Sequence, residues 1–191
     1  MNDTYTYGAG DRLTAAGDKT FTYDACGRMK TVTIAGDLEK TYHYDYQDRL
    51  ITTQYPDGGG TSDTYTYNIF NQRTRLNLNG TQWLFRRDGN SATAPVLADY
   101  VVGGATNLYN PGISQKVSGV KKYMGADRLG SVTAEYDASS GTAYSAQFDA
   151  FGLLKSSSGS SSNRFGYAGQ WGYQSDPGSG LQLLGNRYYD A

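Results

Sequence analysis

A chain of 191 residues is long enough to bury a core, as one domain or two small ones. Its 17 basic and 18 acidic side chains nearly cancel, which leaves no basic footprint for nucleic acid. One Cys and one His exclude an internal disulfide and an ordinary Cys/His zinc site, and no apolar run reaches the length of a membrane span.

The residue usage points to strands and turns. Tyr is unusually frequent at 18 copies, beside 25 Gly, and Glu occurs only at Glu39 and Glu135. Tyr and Thr favour strands, Gly and Asp favour turns, and Glu favours helices. The N-terminus, Met1-Asn2-Asp3-Thr4, lacks the apolar region of a signal peptide.

The first half is a repeat. An aromatic-x-Tyr strand end is followed by a four-residue turn, an Arg and an apolar residue. The copies run from Tyr5-Thr6-Tyr7 to Arg12-Leu13, from Phe21-Thr22-Tyr23 to Arg28-Met29, and from Tyr42-His43-Tyr44 to Arg49-Leu50. A drifted copy runs from Tyr65-Thr66-Tyr67 to Gln72-Arg73. The anchors Tyr7, Tyr23, Tyr44 and Tyr67 lie roughly 20 residues apart, in the range of repeat architectures. Period-two alternation puts both aromatics of a copy on one strand face. Asp24-Ala25-Cys26-Gly27 has the preferred ends of a type I turn, and Asp45-Tyr46-Gln47-Asp48 and Asn68-Ile69-Phe70-Asn71 are polar-ended variants. Each copy is therefore a hairpin, which needs stacked neighbours to be stable. The four anchors are expected at equivalent positions on one face, with Tyr44→Ala costing roughly 3 kcal/mol. Arg12, Arg28 and Arg49 are expected to pack on neighbouring tyrosines or to pair with repeat aspartates. Cys26 fills a variable turn position, and His43 points to the alternate, exposed face.

Asp57-Gly58-Gly59-Gly60 marks a flexible turn. Asn79-Gly80 is a favoured two-residue hairpin turn, placing Leu78 opposite Thr81 and Leu76 opposite Trp83. Leu76, Leu78, Trp83 and Phe85 then share a face expected to be buried. Residues 88–94 read as a loop and 96–102 as a strand ended by Gly103-Gly104. Further strands are expected over 120–123, 132–136 and 143–148, with a turn at Asp137-Ala138-Ser139-Ser140-Gly141. Ser156 to Asn163, almost all Ser and Gly, is expected to be a mobile loop.

The last third carries blocks in a specific order. Asp127-Arg128-Leu129-Gly130-Ser131-Val132 is followed by Phe148-Asp149-Ala150-Phe151-Gly152 and Phe165-Gly166-Tyr167-Ala168-Gly169-Gln170. Gly180-Leu181 and Arg187-Tyr188-Tyr189-Asp190 close the series. This order resembles the core segment of the RHS/YD-repeat family, which includes bacterial Rhs toxins, toxin-complex C subunits and teneurins. Tyr23-Asp24-Ala25-Cys26-Gly27-Arg28-Met29 is similar to that family's repeat motif, with Met for Leu, and Tyr109 to Gln115 resembles its link to the core. The resemblance implies an all-β fold of sequential hairpins, forming a β-spiral or partial barrel or shell with negligible helix. It implies YD repeats over 1–92 and a core segment over 93–191, continuous with the same sheet.

The implied role is structural: a fragment of a shell that encloses or displays another polypeptide, in a toxin or effector type of system. The implied partners are the rest of its own parent chain or an enclosed C-terminal polypeptide, and the implied location is secreted or at the cell surface within a larger protein. An alternative is an extracellular adhesion module that binds glycans through exposed aromatics such as Trp83 or Trp171. Another is a remnant of a self-cleaving core. In the family, Arg-Tyr-Tyr-Asp precedes a Gly-Arg-Phe block and an Asp-Pro cleavage region, whereas Asp190 is followed here only by Ala191. Asp176-Pro177 is ascribed to turn chemistry. No catalytic, cofactor or metal residues are expected: nucleophile-elbow, Walker and His-Glu-x-x-His motifs are absent. An open strip of hairpins leaves unpaired edges, so residues 123–190 are expected to cap them, or the chain to self-associate.

Overall fold

The computed structural model describes residues 4–56 and 59–190. The chain forms two compact units, residues 1–65 and 66–191. Its fold is all-β: sixteen strands are hydrogen-bonded in chain order, and three more form a small sheet. A 3-10 turn spans Gly169–Trp171.

The first unit contains β1 (Tyr5–Tyr7), β2 (Leu13–Ala16), β3 (Lys19–Tyr23), β4 (Met29–Ile34), β5 (Asp37–Tyr44) and β6 (Leu50–Tyr55), and most of β7 (Thr61–Tyr67). All are antiparallel to their chain neighbours. The alternation seen in the sequence sets the core. Phe21 lies opposite Val32, and Tyr42 lies opposite Thr53, which lies opposite Asp63. All five are buried, together with Leu50 and Tyr65.

The four anchor tyrosines do end equivalent strands. In the first three copies a bulge falls immediately before the anchor, at Thr6/Tyr7, Thr22/Tyr23 and His43/Tyr44. A bulge adds local twist and bends the strand end. The expected burial of the anchors is accordingly corrected. In the later copies the aromatic two residues earlier (Phe21, Tyr42, Tyr65) is the deep one, Tyr42 at 5 % exposure against a half-buried Tyr44, whereas in the first copy both Tyr5 and Tyr7 are exposed.

Asp57 and Gly58 of the expected flexible turn lie outside the described residues. Gly59 and Gly60 take positive φ of 73° and 74°.

The second unit continues with β8 (Arg73–Leu78), β9 (Thr81–Arg87), β10 (Val96–Val101), β11 (Thr106–Asn110), β12 (Ser114–Val117), β13 (Val120–Ala126), β14 (Val132–Asp137), β15 (Gly141–Phe148) and β16 (Leu154–Gly159). The Asn79-Gly80 hairpin has the expected register, with Leu78 opposite Thr81 and Leu76 opposite Trp83. Leu76 and Phe85 are buried and Leu78 and Trp83 half-buried. Strands β17 (Gln174–Ser175), β18 (Gln182–Leu184) and β19 (Arg187–Tyr189) make a separate sheet. Of the segment expected to share one sheet, β10 to β16 follow the sequential order and these three strands do not.

The serine-rich segment is a correction. Ser156 to Gly159 belong to β16 and pair with β15, from Gln147↔Ser156 to Tyr144↔Gly159. Strand pairing uses backbone groups, so a polar tract can serve as an edge strand when its neighbour presents a ladder. Residues beyond it are tied as well, since Ser161 donates to Glu135 and Lys122 Nζ reaches the Ser160 carbonyl at 3.4 Å. Strand β16 is exposed throughout, so residues 123–190 do not cap this edge. The returning chain instead bonds the turn tips of β13–β16, as described below.

Gly159 tests this pairing. It has φ +78°, and a Cβ there would lie 2.2 Å from the Ala143 carbonyl oxygen. Gly159→Ala is therefore expected to lower stability by at least about 1 kcal/mol. An unchanged midpoint in urea unfolding would mean that this strand is not formed.

Candidate functional site

One turn recurs through both halves of the chain. In the Asp24 copy, the Gly27 amide bonds the Asp24 carbonyl at 3.0 Å, and the Asp24 amide bonds the Arg28 carbonyl at 2.9 Å. Asp24 Oδ1 then accepts from the amides of Cys26 and Arg28 at 2.9 and 3.0 Å. A side-chain oxygen that bonds the backbone two residues on fixes the turn without help from distant contacts. The same pair of side-chain bonds occurs at Asp45, Asn68, Asp127 and Asp149, all between 2.8 and 3.0 Å. The fourth residue always has positive φ: Gly27, Asp48, Asn71, Gly130 and Gly152. The repeat motif and the first two blocks of the last third are thus one local structure. Gly8, with no side chain to offer, begins a looser copy closed by its amide on the Arg12 carbonyl at 2.8 Å.

In the early copies an arginine closes the turn and reaches the next repeat. Arg28 Nε and Nη2 bond Asp24 Oδ2, both at 2.6 Å, and Arg49 repeats this on Asp45 at 2.7 and 2.6 Å. The Arg28 hydrogen bond holds the Asp24 carboxyl below its ordinary value, and Asp24 in turn raises Arg28. Burial pushes Asp45 up, but the side-chain and backbone bonds from Arg49 and the amide of Gln47 outweigh it and leave it lowered. Arg28 Nη1 also donates to the Asp45 carbonyl at 3.1 Å and to Asp48 at 2.9 Å, while its Cζ lies 5.0 Å from the Tyr44 ring centroid. Arg12 lies 5.8 Å from the Tyr23 ring, whose hydroxyl donates to the Leu13 carbonyl at 2.7 Å. Arg12 and Arg28 therefore connect successive copies. His43 is exposed and bonds Gln54 at 3.0 Å, and the exposed Cys26 occupies the third turn position.

The blocks of the last third come together. The Gln170 amide bonds the Gly130 carbonyl at 2.9 Å, the Ala168 amide bonds Ser131 Oγ at 3.2 Å, and Trp171 Nε1 bonds the Leu129 carbonyl at 2.9 Å. Gly130 is required there, because a Cβ would lie 2.5 Å from that indole nitrogen. Around the Asp149 turn, Tyr167 Oη bonds the Ala150 carbonyl at 2.9 Å and Tyr189 Oη bonds that of Phe151 at 2.6 Å. Phe148 lies 6.1 Å from the Tyr167 ring, and a Cβ on Gly152 would lie 2.6 Å from that ring. Gly169 and Leu181 are buried, and Gly180, at φ +73°, donates to the Asp176 carbonyl at 2.8 Å. Arg187 and Asp190 are exposed.

Sequence reasoning missed the strongest long-range contact. Asp176 is fully buried and its carboxylate pairs with the equally buried Arg73, so turn chemistry is only part of its role. Arg73 stands in the apolar slot that Leu13, Met29 and Leu50 fill in earlier copies. An arginine in a core slot was the available signal that a carboxylate lies near. Burial opposes the Arg73 charge, but Asp176 together with the Tyr188 and Tyr67 phenols outweighs it, and the guanidinium is held charged more firmly than usual. Tyr188 is 3.0 Å from the Tyr67 hydroxyl and 3.4 Å from Arg73, and burial pushes its phenol well up. Burial, then the Arg73 charge, lowers Arg87 to about 10. Among the described residues, Asp176 is the carboxylate that pairs with this group of Arg73, Tyr67 and Tyr188.

No family model matches the chain. It is 28 % identical over 191 residues to the tRNA3(Ser)-specific nuclease WapA of Bacillus spizizenii, and 28 % identical over 188 residues to the tRNA nuclease WapA of Bacillus subtilis. Each alignment takes in 94 % of this chain but only 8 % of the relative. Among solved structures, its fold is similar to the Photorhabdus luminescens Tc holotoxin pore, with a TM-score of 0.65 and 17 % identity. It is also similar to the TcdB2-TccC3-Cdc42 crystal structure, with a TM-score of 0.62 and 15 % identity. Both matches take in 98 % of this chain and no more than 12 % of the longer one. At these identities the likeness is one of fold.

Proposed function

We propose that this chain belongs to the RHS/YD-repeat family and is a non-catalytic segment of a shell that encloses or displays another polypeptide. The observation that carries this reading is the shared turn. The Asp24 and Asp45 copies and the Asp127 and Asp149 blocks have one hydrogen-bond pattern, used to join strand to strand and strand to returning chain. Such a unit propagates a sheet and creates no reactive group. The similarity to WapA and to the Tc toxin structures supports the same reading, because this chain corresponds to a small part of each. On this reading, residues 1–92 are YD repeats and 93–191 a core segment, and the partner is the remaining parent polypeptide or its enclosed C-terminal part, secreted or displayed at the cell surface.

Two measurements test it together. Intact mass after prolonged incubation at neutral and mildly acidic pH is expected to stay that of the whole chain. Incubation with tRNA is expected to leave the RNA uncut. A discrete self-cleavage that disappears in Asp176→Ala or Asp190→Ala, or RNA cleavage that follows the purified chain, would overturn the non-catalytic reading.

A further inference from the structure

Strands β8 to β14 sort their charges by face. Cross-strand pairing sets Arg75, Leu84 and Tyr100 in one row, and Arg86, Ala98, Leu108, Lys116 and Lys121 in the next. A third row holds Asn110, Ser114, Tyr123 and Tyr136. Strand alternation puts these rows on one face of the sheet. The acids of the same strands are Asp99, Glu135 and Asp137, and their registers place all of them on the other face. Arg75, Arg86, Lys116 and Lys121 are exposed, and among the described residues no carboxylate forms an ion pair with any of them. The chain as a whole is close to neutral, so this basic face comes from the folding of the strands and not from composition.

Lys116 and Lys121 stand directly opposite each other. Like charges in that arrangement destabilise a sheet unless a counter-charge lies between them. A cavity of about 230 Å³ lies at this pair, and its walls include Leu108, Asn110 and Ser114. Two ammonium groups, an amide and a hydroxyl therefore converge on it as donors. Beside it, Tyr123 and Tyr136 are each 45 % exposed and Leu108 is 50 % exposed. Lys121 Nζ is held 4.7 Å from the Tyr123 ring centroid.

We propose that this face docks on an anionic phospholipid bilayer, with a headgroup phosphate seated between Lys116 and Lys121. Charge complementarity selects the surface. The row from Arg86 to Lys121 crosses five strands, about 19 Å at the usual strand spacing, and presents its cations to a plane of negative charge. Exposed phenols beside the cations suit the headgroup level of a membrane, where tyrosine is enriched. A single nucleic-acid strand is instead held in a charged groove that follows its backbone, whereas these cations lie on an open face with Leu84 and Leu108 among them. The inference goes beyond the shell reading and does not depend on it.

Vesicle co-sedimentation tests it. The chain is expected to sediment at low salt with vesicles of three parts phosphatidylcholine to one part phosphatidylserine, and not with phosphatidylcholine alone. Each basic side chain at an anionic surface is worth roughly fivefold in partitioning, so Lys116→Gln with Lys121→Gln should weaken binding about 25-fold. Lys30→Gln with Lys155→Gln removes the same charge away from this face and should change binding by less than about threefold. All four lysines are exposed, so both variants keep the core intact. No sedimentation with the anionic vesicles, equal binding to both vesicle types, or equal loss in the two variants would overturn the assignment. So would binding of single-stranded RNA or inorganic phosphate without binding to vesicles.

Discussion

Asp176→Ala is expected to destabilise the second unit by about 3–5 kcal/mol, the scale for removing one partner of a buried ion pair. The substitution removes the Asp176 carboxylate that pairs with the Arg73 guanidinium, which has 0 % side-chain exposure. The Arg73 charge already disfavours that of Arg87, so the loss of Asp176 also removes a negative charge that offsets this repulsion. The double change Arg73→Met with Asp176→Leu is expected to be far milder, because apolar residues of similar volume often replace a buried pair at little cost. Urea unfolding of the two variants checks both statements. An Asp176→Ala chain within 0.5 kcal/mol of the parent, the range of ordinary surface changes, would show that the pair does not hold the small sheet.

The second large effect concerns the repeat aromatics. Tyr42→Ala is expected to cost about 3–5 kcal/mol, as for other buried aromatics, and Tyr44→Ala only about 1–2 kcal/mol. Tyr42 belongs to the buried face with Thr53 and Tyr65, whereas Tyr44 ends the strand after a bulge, is half-buried and lies against Arg28. The opposite ranking, measured by urea unfolding, would restore the anchors as the core of the repeat. The same residues set an alkaline limit. Burial pushes the Tyr44 phenol up to about 12, and burial with the Asp63 hydrogen bond raises Tyr55 further. A raised folded value means that folding favours the neutral phenol. The stabilisation is complete below the unfolded value near 10 and is lost as pH rises towards 12. Melting temperatures should therefore hold level, as far as tyrosine is concerned, up to about pH 10 and fall above it. Tyr44→Phe should soften the fall.

Much of the local structure was legible in the residues because it is decided by near neighbours. Asp24-Ala25-Cys26-Gly27 dictates its turn through a carboxylate two bonds from its own backbone. Asn79-Gly80 dictates the register of the hairpin around it. The expected pairing of arginines with repeat aspartates is a contact four residues along the chain. Two expectations failed for lack of such local information. The serine tract 156–159 has no side-chain preference to announce a strand, and it is a strand because β15 offers it a ladder. The anchor tyrosines follow the period-two pattern, but the bulge before each of the first three breaks it just where burial was expected.

The amino-acid sequence by itself determined the all-β class, the sequential hairpins and the repeated Asx turn, since strand alternation and turn chemistry act over a few residues. Only the tertiary structure decided which buried charges meet. Arg73 and Asp176 are 103 residues apart, and Asp99 and Arg164 are 65 apart. Each charge would be costly to bury alone, so their residue types announce that partners exist. The identity of each partner depends on the path of the returning chain, because a pair so distant in sequence is brought together by the packing of whole strands and not by any local preference.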